Sequence, residues 1–194
     1  MNGPVIVENF LSYVPCLESR AVTLIDLVVI HCTELPDLAT ARTYGERVHY
    51  PESGTGNSGH FYIERNGEIE LWVPVNRVAH HVRNCNQRSI GIELVNSGRF
   101  PDWFDSRGQT MSEPYPSPQI TSLIGLLAYL DREFDSLEWI AGHEDLDTSG
   151  LPASDNPEIL VQRKMDPGPL FPWKTVLAGS RLKRALSVRD YSSD

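Results

Sequence analysis

Leu24-Ile25-Asp26-Leu27-Val28-Val29-Ile30-His31-Cys32 is the stretch from which the fold can be read. A run this rich in apolar and β-branched side chains, bounded by polar segments, reads as a strand buried in the middle of a sheet. His31 stands at its C-terminal end, and in open α/β sheets the ends of strands are where ligand crevices form. The fold class and the first candidate functional residue therefore come from the same nine positions.

Outward from this strand, Pro36-Asp37 starts a helix that runs to about His49, and a glycine-rich loop follows over residues 51–59. His60 to Glu64 and Glu68 to Val73 flank Arg65-Asn66-Gly67, and Asn-Gly between two β-rich runs signals a hairpin. Ser89 to Asn96 is a further strand. Ile90, Ile92 and Leu94 share one face, while Gly91, Glu93 and Val95 share the other, so Glu93 points away from the more apolar side. Phe100 to Pro118 mixes aromatics, charges and prolines and reads as an irregular loop bordering a substrate groove. From Ser117 to Phe134, Ile120, Leu123, Ile124, Leu127 and Leu130 recur at helical spacing. Leu137 to Ala141 is a short strand that delivers Gly142-His143 to another crevice position. Thr148 to Pro157 is a turn-rich loop, and Trp173 to Arg184 is a last helix before a polar tail. The pattern is that of a mixed α/β domain with a central mixed β-sheet flanked by helices.

A chain of 194 residues suits one domain spanning residues 1–194. Its 17 basic and 26 acidic residues leave a net charge of −9, which argues against nucleic acid or an anionic membrane surface as the main partner. Cys16, Cys32 and Cys85 are odd in number and form no CxxC pair, so a reducing compartment is expected. The N-terminus has no basic segment followed by an apolar core, and no apolar run approaches the roughly 20 residues of a membrane span. The expectation is a cytoplasmic monomer, with export by a route other than Sec as the alternative.

Two histidines at strand ends, His31 and His143, and one carboxylate, Asp166, would supply two nitrogens and an oxygen to a metal and leave one tetrahedral position open, the layout of a catalytic zinc site. Lys164 lies two residues before Asp166, so in an extended stretch ammonium and carboxylate face the same way. Each residue alone has a plainer reading: a lone histidine is more often packed or surface-exposed than a ligand, and Asp166 before Pro167-Gly168 suits a turn. Asp145 and Asp147 stand close enough to His143 to compete as the carboxylate ligand. Cys32, by strand alternation, points away from the side that carries His31. On pattern alone the metal site and its absence stand about even.

Six segments shift that balance. Val28-Val29-Ile30-His31, Ser58-Gly59-His60-Phe61-Tyr62-Ile63, Asn66-Gly67-Glu68-Ile69, Ser89-Ile90-Gly91-Ile92-Glu93-Leu94, Ala141-Gly142-His143-Glu144-Asp145 and Lys164-Met165-Asp166-Pro167-Gly168-Pro169 occur in this order. Over residues 24 to 178 the chain resembles the zinc-dependent N-acetylmuramoyl-L-alanine amidases of the peptidoglycan-recognition-protein fold, in particular the cytosolic anhydro-muramyl-peptide amidases. The resemblance implies Zn²⁺ on His31, His143 and Asp166, Glu93 as catalytic base and Lys164 as oxyanion stabiliser. It further implies substrate contacts from His60, His81, Arg83 and Asn96, and muropeptides as partners. Some relatives carry a tyrosine immediately before the counterpart of His60 in place of the glutamate; here that position is Gly59, which favours Glu93. Where relatives usually have tryptophan, this chain has His80. The competing readings are a peptidoglycan-binding module without catalysis, and a wall-lytic endolysin or secreted toxin of the same chemistry. Members that only bind commonly lose a metal ligand, whereas all three positions are filled here.

Overall fold

All six residues of strand β2 (Leu27–Cys32) are buried. In the computed structural model, which describes residues 3–187, parallel neighbours flank this strand on either side: β5 (Ser89–Leu94) and β6 (Trp139–Gly142). Both its faces are covered as well, which is why its sequence is an almost unbroken apolar run rather than an alternating one. Beyond β5 lie β3 (Phe61–Ile63) and β4 (Ile69–Leu71), joined as the expected antiparallel hairpin, with Gly67 at φ +91° in the turn. The mixed seven-stranded sheet is completed by two edges that the sequence pattern did not disclose. β1 (Ile6–Glu8) pairs with β4, and β9 (Lys183–Arg184) pairs with β6. Two- and three-residue strands offer too few positions for alternation to register.

One face of the sheet carries Val28, Ile30, Ile90, Ile92, Leu94 and Ile140, and packs on Leu123, Leu126, Leu127 and Leu130 of helix α2 (Ser117–Glu133). The other face carries Leu27, Val29 and Ala141 against Val82 and Cys85. At the ends of β3 and β5, Gln119 of α2 is fully buried; its side-chain amide donates to Ile63 O at 2.9 Å, which also accepts from Val95 N–H, and to Val95 O at 3.0 Å.

Three expected elements are shorter or differently built. Helix α1 (Leu38–Gly45) is capped by Asp37, which accepts from Thr40 N–H at 2.7 Å, but it ends at Gly45 rather than at His49. The region from Trp173 to Arg184 holds a helix α4 (Trp173–Ala178) and then β9, because Gly179-Ser180 breaks the helix. The turn-rich stretch 148–157 contains β7 (Gly150–Pro152), which pairs with β8 (Leu160–Gln162) as a separate ribbon. The polar tail lies largely outside the described residues.

The loop over residues 100–118 lines no part of the main cleft described below, so it does not border the substrate groove there. It braces the cleft from behind. Trp103 Nε1–H donates to Glu34 O at 2.9 Å, Tyr115 O–H donates to Pro167 O at 2.6 Å, and Arg65 forks onto both oxygens of Glu113 at 2.6 and 3.1 Å.

Gln119→Ala removes the donor to Val95 O, while Ile63 O keeps its bond from Val95 N–H, and urea denaturation should show a stability loss of about 1–3 kcal/mol. An unchanged denaturation curve would mean that Val95 O finds another partner.

Candidate metal centre

Parallel pairing aligns His31 of β2 directly with Glu93 of β5 and aligns Ile30 with Gly142 of β6. His143, the residue after Gly142, therefore emerges beside His31. There a short helix α3 (His143–Leu146) begins, and its first turn is held by Gly142 N–H donating to Asp145 Oδ2 at 2.7 Å. Asp166 arrives from the extended segment after β8. Its carbonyl accepts from Glu144 N–H at 2.9 Å, which ties it to α3.

His31 Nδ1, His143 Nδ1 and Asp166 Oδ2 form a triangle with edges of 2.8, 3.0 and 3.2 Å. All three side chains are buried. Burial pushes His31 down to about 4, partly opposed by the adjacent Asp166 carboxylate, so its imidazole is neutral at ordinary pH. Burial would raise the Asp166 carboxyl, but the neighbouring His143 and Lys164 and the close approach of both imidazoles outweigh it and hold the group well below the usual carboxylate range. Neutral imidazole with ionised carboxylate is the donor form a cation needs. The second oxygen of Asp166, also buried, has no hydrogen-bond partner among the described residues. Tetrahedral bonds of about 2.0–2.1 Å to Zn²⁺ would set donor separations of roughly 3.3 Å, so the triangle needs little widening. Among the described residues, these three form the group able to hold a metal.

The triangle lies at the floor of a cleft of about 470 Å³ whose lining includes Glu93, Lys164, Tyr44, Tyr50, His80 and Arg83. Glu93 Oε1 lies 4.0 Å from His31 Nδ1, with 14% of its side chain exposed. Burial, reinforced by the charge of Asp166, pushes its carboxyl well above the ordinary value. Lys164 and Asp166 line the same cleft, as their two-residue spacing predicts.

The residues expected to contact substrate divide. Arg83 is exposed and lines the cleft. His81 also lines it, with Nδ1 3.0 Å from His31 Nε2. His60 is fully buried and outside the cleft lining. Its Nδ1 accepts from Gly91 N–H at 3.0 Å, and Nε2 lies 3.1 Å from Arg77 O. Asn96 is likewise buried away from the cleft; it donates to Glu113 O at 3.1 Å and accepts from Gly98 N–H at 2.9 Å. The rival ligands are occupied: Asp145 by Arg184 and Asp147 by Arg163. Cys32 is buried, and burial raises its thiol well above the usual value. One pair escaped sequence reasoning because 65 positions separate its members. Buried Arg99 forks onto Glu34 at 2.7 and 2.9 Å and donates to Gln162 O at 2.8 Å, anchoring the strand that leads to Lys164.

The pattern that defines the N-acetylmuramoyl-L-alanine amidases matches residues 21–169. The chain is 34% identical over 120 residues to the N-acetylmuramoyl-L-alanine amidase AmiD of Escherichia coli K12, covering 56% of this chain but only 37% of that relative. Two solved structures share the fold. The amidase LysC from Clostridium intestinale superposes with a TM-score of 0.64 at 25% identity, covering 93% of this chain and 99% of that one. AmiD from E. coli, in complex with anhydro-N-acetylmuramic acid-L-Ala-D-γ-Glu-L-Lys, superposes with a TM-score of 0.60 at 26% identity, covering 82% of this chain and 58% of that one.

The Asp147–Arg163 pair clamps the segment before Lys164 onto α3 and sets a pH limit on stability. Burial would raise the Asp147 carboxyl, but hydrogen bonds from Arg163 and Ser149 outweigh it and hold it at about 2. A carboxyl depressed by folding contributes stability above its unfolded value, near 3.9, and loses it as pH falls through the folded value. Thermal melts should therefore show this contribution disappearing between about pH 4 and pH 2, and Asp147→Asn should flatten that part of the profile. An identical acid limb in the variant would remove the pair from the account.

Proposed function

Because the chain belongs to the N-acetylmuramoyl-L-alanine amidase family, we propose that it hydrolyses the amide between N-acetylmuramic acid, in its anhydro form, and the first L-alanine of the stem peptide. The observation that carries this reading is the convergence of His31, His143 and Asp166 beside Glu93 and Lys164 in one cleft. The AmiD complex supports the anhydro sugar and short stem peptide as the substrate class.

His31, His143 and Asp166 would hold Zn²⁺, which when bound supplies a Lewis acid for the amide carbonyl and brings the pKa of water down toward 7. Glu93 takes the proton of the attacking water and returns it to the leaving nitrogen. Its raised pKa suits both steps, since a carboxyl that holds its proton more firmly is a better base first and a competent acid afterwards. Lys164 supplies positive charge to the oxyanion of the tetrahedral intermediate, in a cleft where low dielectric strengthens the attraction. Arg83, exposed at the cleft wall, is placed to meet a carboxylate of the stem peptide. We assign the reaction to a single catalytic domain acting in the cytoplasm. Cys16, Cys32 and Cys85 are thiols, which suits a reducing compartment, and no helix among the described residues is long and apolar enough to cross a membrane.

Mass spectrometry of products should show chelator-sensitive release of free peptide from anhydro-muramyl tripeptide, faster than from intact murein sacculi. Glu93→Gln should lower kcat by about 10²–10⁴-fold while zinc affinity is kept. Faster cleavage of sacculi would make the protein a wall lysin, and no cleavage of either by the zinc-loaded protein would leave it a binding module.

A further inference from the structure

We propose that His81 is a positioning residue of the metal centre: its ring accepts the Nε2 hydrogen of His31 and so keeps Nδ1 of His31 bare and turned into the donor triangle. The argument starts at the far end of a hydrogen-bond chain. Cys85 O, a carbonyl, can only accept, so the Ser89 hydroxyl, 2.7 Å away, spends its one hydrogen there. Toward the ring of His81, 3.2 Å off, Ser89 Oγ must then act as acceptor, which places the His81 hydrogen on Nε2. A neutral imidazole with its hydrogen on Nε2 has a lone pair on Nδ1, and that atom lies 3.0 Å from His31 Nε2. His31 therefore donates through Nε2 and, being neutral, has its own lone pair on Nδ1. The direction of donation is fixed along the whole chain by a backbone carbonyl.

The surroundings are shaped to hold this ring. Asn86 Oδ1 accepts from His81 N–H at 3.0 Å and from Val82 N–H at 2.8 Å, pinning the backbone on which the ring is mounted. Beneath the ring lies Gly91 of β5. A Cβ there would meet His81 Cγ and Nδ1 at 2.7 Å, so any larger residue would displace the imidazole. Ser89, Gly91 and Glu93 alternate along one face of β5, so the same strand provides the acceptor for the chain, the space for the ring and the proposed base. With both ring nitrogens engaged by protein groups, the structure assigns His81 to the metal ligand rather than to substrate.

This role rests on the zinc reading of His31, and the test separates the two. Zn²⁺ affinity is measured by competition with a chromophoric chelator for the wild type, His81→Leu and His81→Gln, each checked for folding by its melting temperature. A glutamine amide can accept from His31 through oxygen and donate to Ser89 through nitrogen. His81→Leu should bind Zn²⁺ about 10–100-fold more weakly, and His81→Gln should recover most of the loss. In parallel, ¹⁵N NMR of the imidazoles in the Zn²⁺-loaded wild-type protein should find the hydrogens of both His31 and His81 on Nε2, a readout that survives if a variant fails to fold. Equal affinity in wild type and His81→Leu, equal loss in both variants, or a His81 hydrogen on Nδ1 would overturn the positioning role alone. A wild-type protein that binds no Zn²⁺ would overturn the zinc reading, and the role with it.

Discussion

Everything at the candidate site depends on the register of three parallel strands. β2 lies between β5 and β6, and pairing His31 with Glu93 and Ile30 with Gly142 sets where the proposed ligand and the proposed base stand relative to each other. Side chains alternate between faces with a period of exactly two, so a slip of one residue in β5 would carry Glu93 to the face covered by α2 and put Ile92 or Leu94 in its place. The register is defended by what the slip would cost. Ile90, Ile92 and Leu94 are packed on α2, while Ser89, Gly91 and Glu93 are the small or polar residues that the opposite face requires. The apolar core therefore holds the candidate site in register from the opposite face of the sheet.

The features readable in the sequence are those that this alternation imprints. The buried run Leu27 to Cys32, the two faces of Ser89 to Leu94, the Asn66-Gly67 hairpin and the helical spacing of α2 are periodic or punctuated, and each appears in the structure close to its expected place. His31 and His143 were legible as crevice residues because strand ends were. The edges β1 and β9 were not, because two or three residues carry no period. The loop over residues 100–118 was misplaced for a different reason. Its composition signals irregular backbone but says nothing about which side of the fold it covers, and its contacts with Glu34, Arg65 and Pro167 are all long-range.

The histidines show how far residue type alone can mislead. His31, His60, His81 and His143 cluster, yet the structure gives them separate environments. The Nδ1 atoms of His31 and His143 face Asp166, His60 accepts from Gly91 N–H beneath the sheet face, and His81 lies between His31 and Ser89. Sequence spacing cannot separate a ligand from the residue that orients it. What separates them is the direction of each hydrogen bond, which becomes legible only where a chain of bonds ends on a group that can only accept.

Charge pairing completes the selection of the ligand. Asp145, Asp147 and Glu34 all lie within a few residues of the proposed donors, and each is bound by an arginine: Arg184, Arg163 and Arg99. A carboxylate already forked by a guanidinium has little to gain from a cation and would have to break a charge-assisted hydrogen bond to bind one. Asp166 and Glu93, among the described residues, have no arginine in ion-pair contact. The fold thus pairs off the carboxylates that merely hold α3, β8 and the Glu34 segment together, and leaves Asp166 and Glu93 outside such pairs. One of the two is turned into the histidine triangle, where a cation would bind. The other stands at the cleft, where the charges of Asp166, Lys164 and Glu34 act on it, which is the division of labour that the proposed ligand and the proposed base require.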